Sequence, residues 1–198
     1  MTPRPPQTAA RRLARLLDEL GRVTDEPGKL TRTFLSPAMR RANARVAQWM
    51  RAAGLRVRED TTGNLLGRLE ANTPGAKTLL LGSHLDTVRD AGKFDGALGV
   101  LLPIVAIGEL KRRGVALPFA VEVLGFSEEE GVRFASAYLG SKGYTGRLRA
   151  AELKLRDADG VTVREALEQH HRTRFVLPKP AHKKSNLLGY FEVHIEQG

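Results

Sequence analysis

Hydrophobic positions follow two different periods along the chain, and the period predicts which segments are helices and which are strands. Leucines three or four positions apart, with arginines on the opposite face, predict a helix over 8–22. Ser36 as a cap, Pro37 in the first turn and Gly54 as the stop predict a second helix. Short apolar or alternating runs predict strands. The remaining predicted elements are the strands 55–59, 64–69 and 77–81, the helix 97–113, the strand 119–126, the helix 162–170 and the strand 190–195.

The order of these elements predicts the fold class. From 77 onwards, strand, helix, strand, helix and strand follow one another, which is typical of an α/β domain. We therefore expect a three-layer domain with a mainly parallel mixed sheet flanked by helices. The apolar strands 77–81, 119–126 and 190–195 are expected to be buried on both faces.

Composition narrows the class of protein. The chain has 198 residues, 41% of them hydrophobic, which is enough for one ordinary globular domain. It has no cysteine, which excludes a disulfide framework, a thiolate zinc site and a cysteine nucleophile. No apolar run reaches the roughly 18 residues of a membrane-spanning helix, and no apolar stretch follows the basic N-terminus. We therefore expect a cytoplasmic protein with no membrane partner.

The positive charge lies mainly at the start of the chain. The formal net charge is +10, and residues 1–58 hold 13 basic against 4 acidic side chains. Such a surface would attract an anion, such as a carboxylate substrate or nucleic acid. The alternative is a solvated arginine face on amphipathic helices. No aromatic platform accompanies the charge, which favours the solvated face, and we expect no nucleic-acid partner.

Acidic residues and histidines gather at or after three of the predicted strands. Because ligands bind outside the carboxyl ends of strands in open α/β sheets, we expect these side chains to converge. Two histidines and several carboxylates without thiols suit zinc, manganese or cobalt. The side chains concerned are His84, Asp86, Asp95, Glu129, Glu130 and His194.

The spacing of these residues suggests how they would work together. His84 and Asp86 are two apart, so that in an extended segment Asp86 could receive the ring N–H of His84. Asp95 precedes a helix, where its two oxygens could bridge two ions. Adjacent Glu129 and Glu130 offer one ligand and one general base. Taken singly, each residue would be an ordinary structural side chain, and it is their joint placement after strands that favours a metal centre.

Three other histidines lie in segments rich in lysine, arginine and other polar residues. Such surroundings are typical of the protein surface. We expect His170, His171 and His182 to face solvent.

Four short motifs occur in an order that resembles a known family. They are GSHLDTV, FDG, SEEEG and HIEQG. Together they resemble the binuclear metal-dependent amidohydrolases of the aminoacylase/carboxypeptidase superfamily. The resemblance covers about residues 28–198 and is to the branch that contains allantoate amidohydrolases and N-carbamoyl-L-amino-acid hydrolases.

The resemblance implies a set of metal ligands. His84 and His194 would hold one ion, Asp95 would bridge two, and Glu130 would bind the second. The cofactors would be two divalent ions, manganese or zinc, with cobalt as a further possibility.

The resemblance also implies catalytic and substrate-binding roles. Glu129 would be the general base that activates the attacking water, and Asp86 would orient His84. Gln197 matches the glutamine of HIEQG and would lie near the substrate. The partner would be a small anionic ureido compound.

The implied reaction is metal-dependent hydrolysis of a linear amide or ureido C–N bond. The motifs are most similar to those of allantoate amidohydrolases. The alternatives are an N-carbamoyl-L-amino-acid hydrolase, a β-ureidopropionase, or a truncated fragment that catalyses nothing.

Members of this family are much longer than this chain. In them a lid domain follows the HIEQG strand and supplies a substrate-binding arginine and the contact of a homodimer. Residues 1–198 are therefore expected to form the N-terminal part of an incomplete catalytic domain, with 1–27 as a helical extension and the lid domain absent. We expect weak binding of the second ion and an exposed apolar surface that promotes aggregation.

Overall fold

A computed structural model describes residues 7–195. Two short 3-10 helices lie at Glu152–Lys154 and Lys184–Asn186, and five α-helices and five strands make up most of the regular structure of these residues. In chain order they are α1 (Gln7–Leu20), α2 (Pro37–Ala53), β1 (Arg56–Glu59), β2 (Leu65–Leu69), β3 (Thr78–His84), α3 (Ala97–Arg112), β4 (Ala120–Phe126), α4 (Leu139–Tyr144), α5 (Val163–His171) and β5 (Leu187–Phe191).

Helix α2 shows how local sequence fixes the ends of an element. The Ser36 hydroxyl accepts the Met39 N–H at 3.1 Å, which satisfies a donor that has no partner within the helix. Pro37 occupies the first turn, where no N–H is needed. Gly54 ends the helix with φ of 95°, a conformation that glycine adopts without strain. These bounds confirm the prediction from the sequence.

The five strands form one mixed sheet in the order β1–β2–β4–β3–β5. β3 is parallel to both β4 and β5, whereas β1 with β2 and β2 with β4 are antiparallel. His84 is opposite Phe126 in the register of β3 and β4, so that these two strands end side by side. The loops that follow them therefore leave the sheet at the same edge.

Helices cover both faces of the sheet, which confirms the α/β class. Helices α1, α2 and α3 bury their apolar faces against one side, where Val121 and Val123 of β4 lie at most 2% exposed. On the other side Leu66, Leu80 and Leu124 pack against Tyr144 of α4. Each fully buried side chain of this kind contributes roughly 1.5–3 kcal/mol relative to exposure.

The last strand differs from its prediction. It covers Leu187–Phe191 rather than 190–195, because its pairing with β3 ends where Phe191 lies opposite Leu81. His194 therefore lies beyond the strand rather than within it. The strand is also not buried on both faces: Tyr190 is 45% and Phe191 64% exposed.

Among residues 7–195, no helix is long and apolar enough to cross a membrane. The cytoplasmic location stays a prediction.

Candidate metal centre

His84 ends β3 and is almost completely buried, at 1% exposure. Its Nδ1 lies 2.9 Å from the backbone carbonyl of Asp86. Because a carbonyl only accepts, Nδ1 must carry a proton, and the lone pair of a neutral ring is then on Nε2. The Asp86 carboxylate is further away, with Oδ1 at 3.6 Å from Nδ1. The partner that orients the ring is thus chiefly the Asp86 carbonyl, not the carboxylate that the sequence suggested.

His194 and Asp95 come from distant segments to meet His84. The Nε2 atoms of His84 and His194 are 3.2 Å apart. Asp95 Oδ1 lies 3.3 Å from the first and 3.2 Å from the second. Ligands bonded at 2.0–2.1 Å around a tetrahedral ion are separated by about 3.3–3.4 Å. The three atoms thus have the mutual spacing of ligands to one ion.

The loop after β4 brings two glutamates to the same place. Glu129 Oε2 lies 3.9 Å from His84 Nε2. His84, Glu129 and Glu130 offer three ligand atoms within 4.8 Å of one another, a second group that could hold an ion. The Asp86 carboxylate accepts the backbone N–H of Glu129 and that of Glu130, at 3.0 to 3.1 Å. Asp86 therefore fixes the loop that carries both glutamates.

Gly96 allows the His84 ring to pack against the turn before α3. A Cβ atom on Gly96 would lie 2.5–2.6 Å from three atoms of that ring. The residue also has φ of 61°, which disfavours any side chain. The FDG motif therefore places Asp95 beside a glycine on which the His84 ring packs.

The carboxylates around His84 change proton affinities at the site. Burial by itself lowers the pKa of His84, but Asp86 and Glu129 outweigh it and raise the pKa to about 9. Burial raises the pKa of Glu129, and it raises that of Glu130 to about 7, with the nearby carboxylates adding to the effect. Without a cation the site thus retains protons, as expected of a cluster of negative groups that a metal ion would neutralise.

A buried neighbour of these glutamates was not singled out from the sequence. Glu128 is 0% exposed, and burial together with the charge of Asp86 raises its pKa to about 9. The carboxyl group is therefore protonated at neutral pH. Glu128 stands in a run of three glutamates, which is typical of a solvated loop, so nothing in the sequence indicated that its side chain is buried.

A hydrogen-bonded link between β3 and the segment before His194 was also not predicted. The Ser83 hydroxyl donates to Glu192 Oε1 at 2.5 Å, and Tyr190 donates to Glu192 Oε2 at 2.6 Å. These bonds tie the residue before His84 to the residues before His194. The alternation of Tyr190, Glu192 and His194 was the available signal, since it places all three on one side of an extended segment.

Three of the candidate site residues, His84, Glu129 and His194, line a cleft of about 780 Å³. Tyr138 and Tyr144 also line it. The volume is within the range of small-molecule sites. Gln197, expected near the substrate, lies outside the described residues.

The prediction that three other histidines face solvent is wrong. His170 is only 9% exposed at its side chain and bonds Glu59 Oε1 at 2.5 Å. His182 is 17% exposed and lies 3.2 Å from Glu122 Oε1, and His171 is half-buried. Each of the two hydrogen-bonded rings meets a carboxylate from a distant strand, which local composition cannot show.

Glu59, His170 and His171 also offer three ligand atoms within 4.8 Å. The 2.5 Å separation of His170 Nε2 from Glu59 Oε1 is shorter than the spacing of about 3.3 Å between two ligands of one tetrahedral ion. It is the distance of a hydrogen bond between His170 and Glu59 rather than that of two ligands to one ion.

Comparison with known proteins identifies relatives of this chain. The model of peptidase family M28 matches residues 64–186, a range that includes Asp95, Glu129 and Glu130. An N-carbamoyl-L-amino acid amidohydrolase of Geobacillus stearothermophilus is 43% identical over 94% of this chain and 46% of its own length. An allantoate deiminase of Arabidopsis thaliana is 44% identical over 92% of this chain and 35% of its own.

A solved structure has the same fold. A hydantoinase/carbamoylase family amidase from Burkholderia ambifaria superposes with a TM-score of 0.83 and is 37% identical. The match covers 95% of this chain and 45% of the amidase. The chain thus spans less than half the length of these relatives. On the family match and on relatives aligned over nearly its whole length, the chain belongs to peptidase family M28, and its relatives there include amidohydrolases.

Proposed function

We propose that this chain is the N-terminal part of the catalytic domain of an amidohydrolase that cleaves a ureido C–N bond with the help of two divalent ions. The observation that carries the proposal is the 3.2–3.3 Å spacing of His84, His194 and Asp95, of which the two histidines line the cleft. Glu130 would complete the second site. Manganese and zinc both suit these ligands, and cobalt is a third possibility.

The bound ions would supply Lewis-acid activation of the scissile carbonyl and of water. Glu129 would take a proton from the attacking water as the oxygen of that water bonds to the carbonyl carbon. The C–N bond then breaks, and Glu129 would give that proton to the departing nitrogen. Burial raises the pKa of Glu129, which suits a group that both accepts and donates a proton.

Allantoate is the proposed substrate, with N-carbamoyl-L-amino acids as the main alternative and β-ureidopropionate as a third. Relatives of both main kinds support the class at similar identity, 44% and 43%. Among the described residues, none that lines the cleft is lysine or arginine. A cation elsewhere in the complete enzyme, together with Gln197, would therefore bind the substrate's carboxylate. Homodimer formation through a lid domain belongs to the same proposal.

The test uses the natural gene product, purified from its source cells. Its intact mass would show whether the 21.7 kDa chain is part of a longer protein. Metal content and release of ammonia would then be measured with allantoate and with N-carbamoyl-L-amino acids in the presence of Mn²⁺. Turnover of either class supports the proposal, and the faster one identifies the substrate. A protein that holds its metal ions but hydrolyses neither would be a non-catalytic member of the family.

A further inference from the structure

Arg32 is a cation enclosed within the fold, at 1% exposure. Its guanidinium donates to three backbone carbonyls, those of Leu85 at 3.1 Å, Leu20 at 3.0 Å and Val23 at 3.1 Å. Burial lowers the pKa of Arg32 to about 10, and the negative charge of Asp86 opposes this most strongly. Arg32 therefore remains protonated at neutral pH. A buried charge is costly unless an opposite charge lies close by.

The backbone of Arg32 also holds the segment around Asp86. Its N–H donates to Thr87 Oγ1 at 2.8 Å, and the Thr87 N–H donates to the Arg32 carbonyl at 2.9 Å. With the bond from the guanidinium to Leu85, Arg32 fixes the residues on both sides of Asp86. The chain between them has little freedom to move.

Asp86 is equally buried, at 1% exposure, and is surrounded by acidic groups. Its charge raises the pKa of Glu128, Glu129 and Glu130. Asp86 accepts the N–H groups of Glu129 and Glu130 through both of its oxygens. Whatever fixes the backbone around Asp86 therefore also fixes the loop of the two glutamates.

We propose that Arg32 is a positioning residue of the metal centre, which acts by fixing the backbone on both sides of Asp86 and so keeps Asp86 in the place where it holds His84 and the loop of the two glutamates. The inference rests on the proposed metal centre. It gives an apparently remote arginine, preceding α2 in the chain, a role in ion binding. Groups that orient metal ligands typically change metal affinity by 10- to 100-fold when they are removed.

The test is a double-mutant cycle on this chain, with Mn²⁺ binding measured by calorimetry. Arg32→Met removes the charge but keeps an unbranched apolar side chain. We expect it to weaken binding by about 10-fold or more in the unmodified chain and by less than about twofold in the Asp86→Asn background. Unchanged binding, or an equal loss in both backgrounds, would show that Arg32 does not act through Asp86.

Leu20→Ala is the matched control, since it weakens the packing of α1 beside Arg32 and leaves both charges in place. We expect a lower free energy of unfolding and unchanged Mn²⁺ affinity. If Arg32→Met fails to fold, Arg32→Lys decides, because lysine keeps a donor but lacks the planar guanidinium that reaches several carbonyls at once. Weaker Mn²⁺ binding by Arg32→Lys in the unmodified chain but not in the Asp86→Asn background would support the proposal, and an equal effect in both backgrounds would contradict it.

Amide hydrogen exchange separates this proposal from the proposed function. In Arg32→Met the amides of Glu129 and Glu130 should exchange at least about 10-fold faster, while the amide of Leu124 in β4 keeps its rate. A chain that binds no Mn²⁺ would contradict the proposed metal centre, yet this comparison would still decide the role of Arg32. Unchanged exchange rates of both glutamate amides would overturn the proposed role of Arg32.

Discussion

The carboxylate of Asp86 accepts the backbone N–H of Glu129 through both of its oxygens, at 3.0 and 3.1 Å, across 43 residues of sequence. In Asp86→Asn one oxygen becomes an NH₂ group, which would face an N–H donor instead of accepting from it. We expect Mn²⁺ affinity to fall by about 10- to 100-fold. Asp90→Asn, at a side chain 62% exposed, is the control and should bind like the unmodified chain. If the unmodified chain, Asp86→Asn and Asp90→Asn all bind Mn²⁺ with equal affinity, Asp86 has no role in the metal centre.

Glu129 should be separable from the metal ligands by substitution. Glu129→Gln in the natural-length enzyme should retain its metal content and lose about 100-fold or more of its turnover, because the amide cannot accept the proton of water. His84→Ala should lose metal as well as activity. Glu19→Gln, at a half-exposed position on α1, serves as the control. Turnover of Glu129→Gln within a few-fold of the parent would assign the base to another residue.

Substitution of Gly96 should be destabilising for two reasons, of which only one concerns the proposed metal centre. Gly96→Ala introduces a Cβ at 2.5–2.6 Å from the His84 ring and strains a backbone with φ of 61°. Gly75→Ala has similar strain, with φ of 73°, but no atom lies within 4 Å of its Cβ. Both variants should lose about 1 kcal/mol or more in denaturant unfolding. Only Gly96→Ala should also weaken Mn²⁺ binding, and equal binding by both would show that the ring can shift freely.

The stability of the metal-free chain should fall as the pH rises. The folded pKa values of His84, Glu128 and Glu130 are about 9, 9 and 7, above their ordinary values of 6.5, 4.5 and 4.5. The folded state thus binds more protons than the unfolded state between about pH 4.5 and 9, and stability is lost across that range. Metal affinity should rise over the same range, because His84 and Glu130 must lose protons to bind. Urea unfolding at several pH values, with and without Mn²⁺, tests both trends. A free energy of unfolding of the metal-free chain that does not fall with pH would contradict the first trend. A stabilisation by Mn²⁺ that does not grow with pH would contradict the second.

The isolated chain should associate through β5. Three apolar side chains are exposed on this strand: Leu188 at 52%, Tyr190 at 45% and Phe191 at 64%. They form part of the exposed apolar surface that the sequence analysis expected. Leu188→Lys should reduce association in light scattering without lowering the denaturant midpoint, because charge on an edge strand opposes strand pairing. Val176→Lys, at an exposed apolar residue away from the sheet, is the control. An equal effect of the two variants would indicate general solubility rather than association at β5.

The sequence predicted the main elements because they depend on local signals. Caps and turns such as Ser36 and Gly54 act within a few residues. The site follows from a general rule about the ends of parallel strands. The sheet is mixed as predicted, although the parallel pairs are confined to β3 and its two neighbours.

Other features depended on distant partners. The ring N–H of His84 lies closer to the Asp86 carbonyl, at 2.9 Å, than to the carboxylate, at 3.6 Å, a difference that a spacing of two residues does not reveal. His170 and His182 looked solvent-facing because their burial depends on Glu59 and Glu122, more than 50 residues away. The shift of β5 likewise follows from its register against β3.

The position of β5 beside β3 has a consequence for how the protein folds. His194 follows a strand that pairs with β3 across more than 100 intervening residues of sequence. Loop closure over such a distance costs conformational entropy before any contact rewards it. His84 and Asp95 can meet early, whereas His194 arrives late. An ion that requires the side chains of His84, Asp95 and His194 would bind only after β5 has paired with β3. Its binding would then slow the separation of β5 from the sheet.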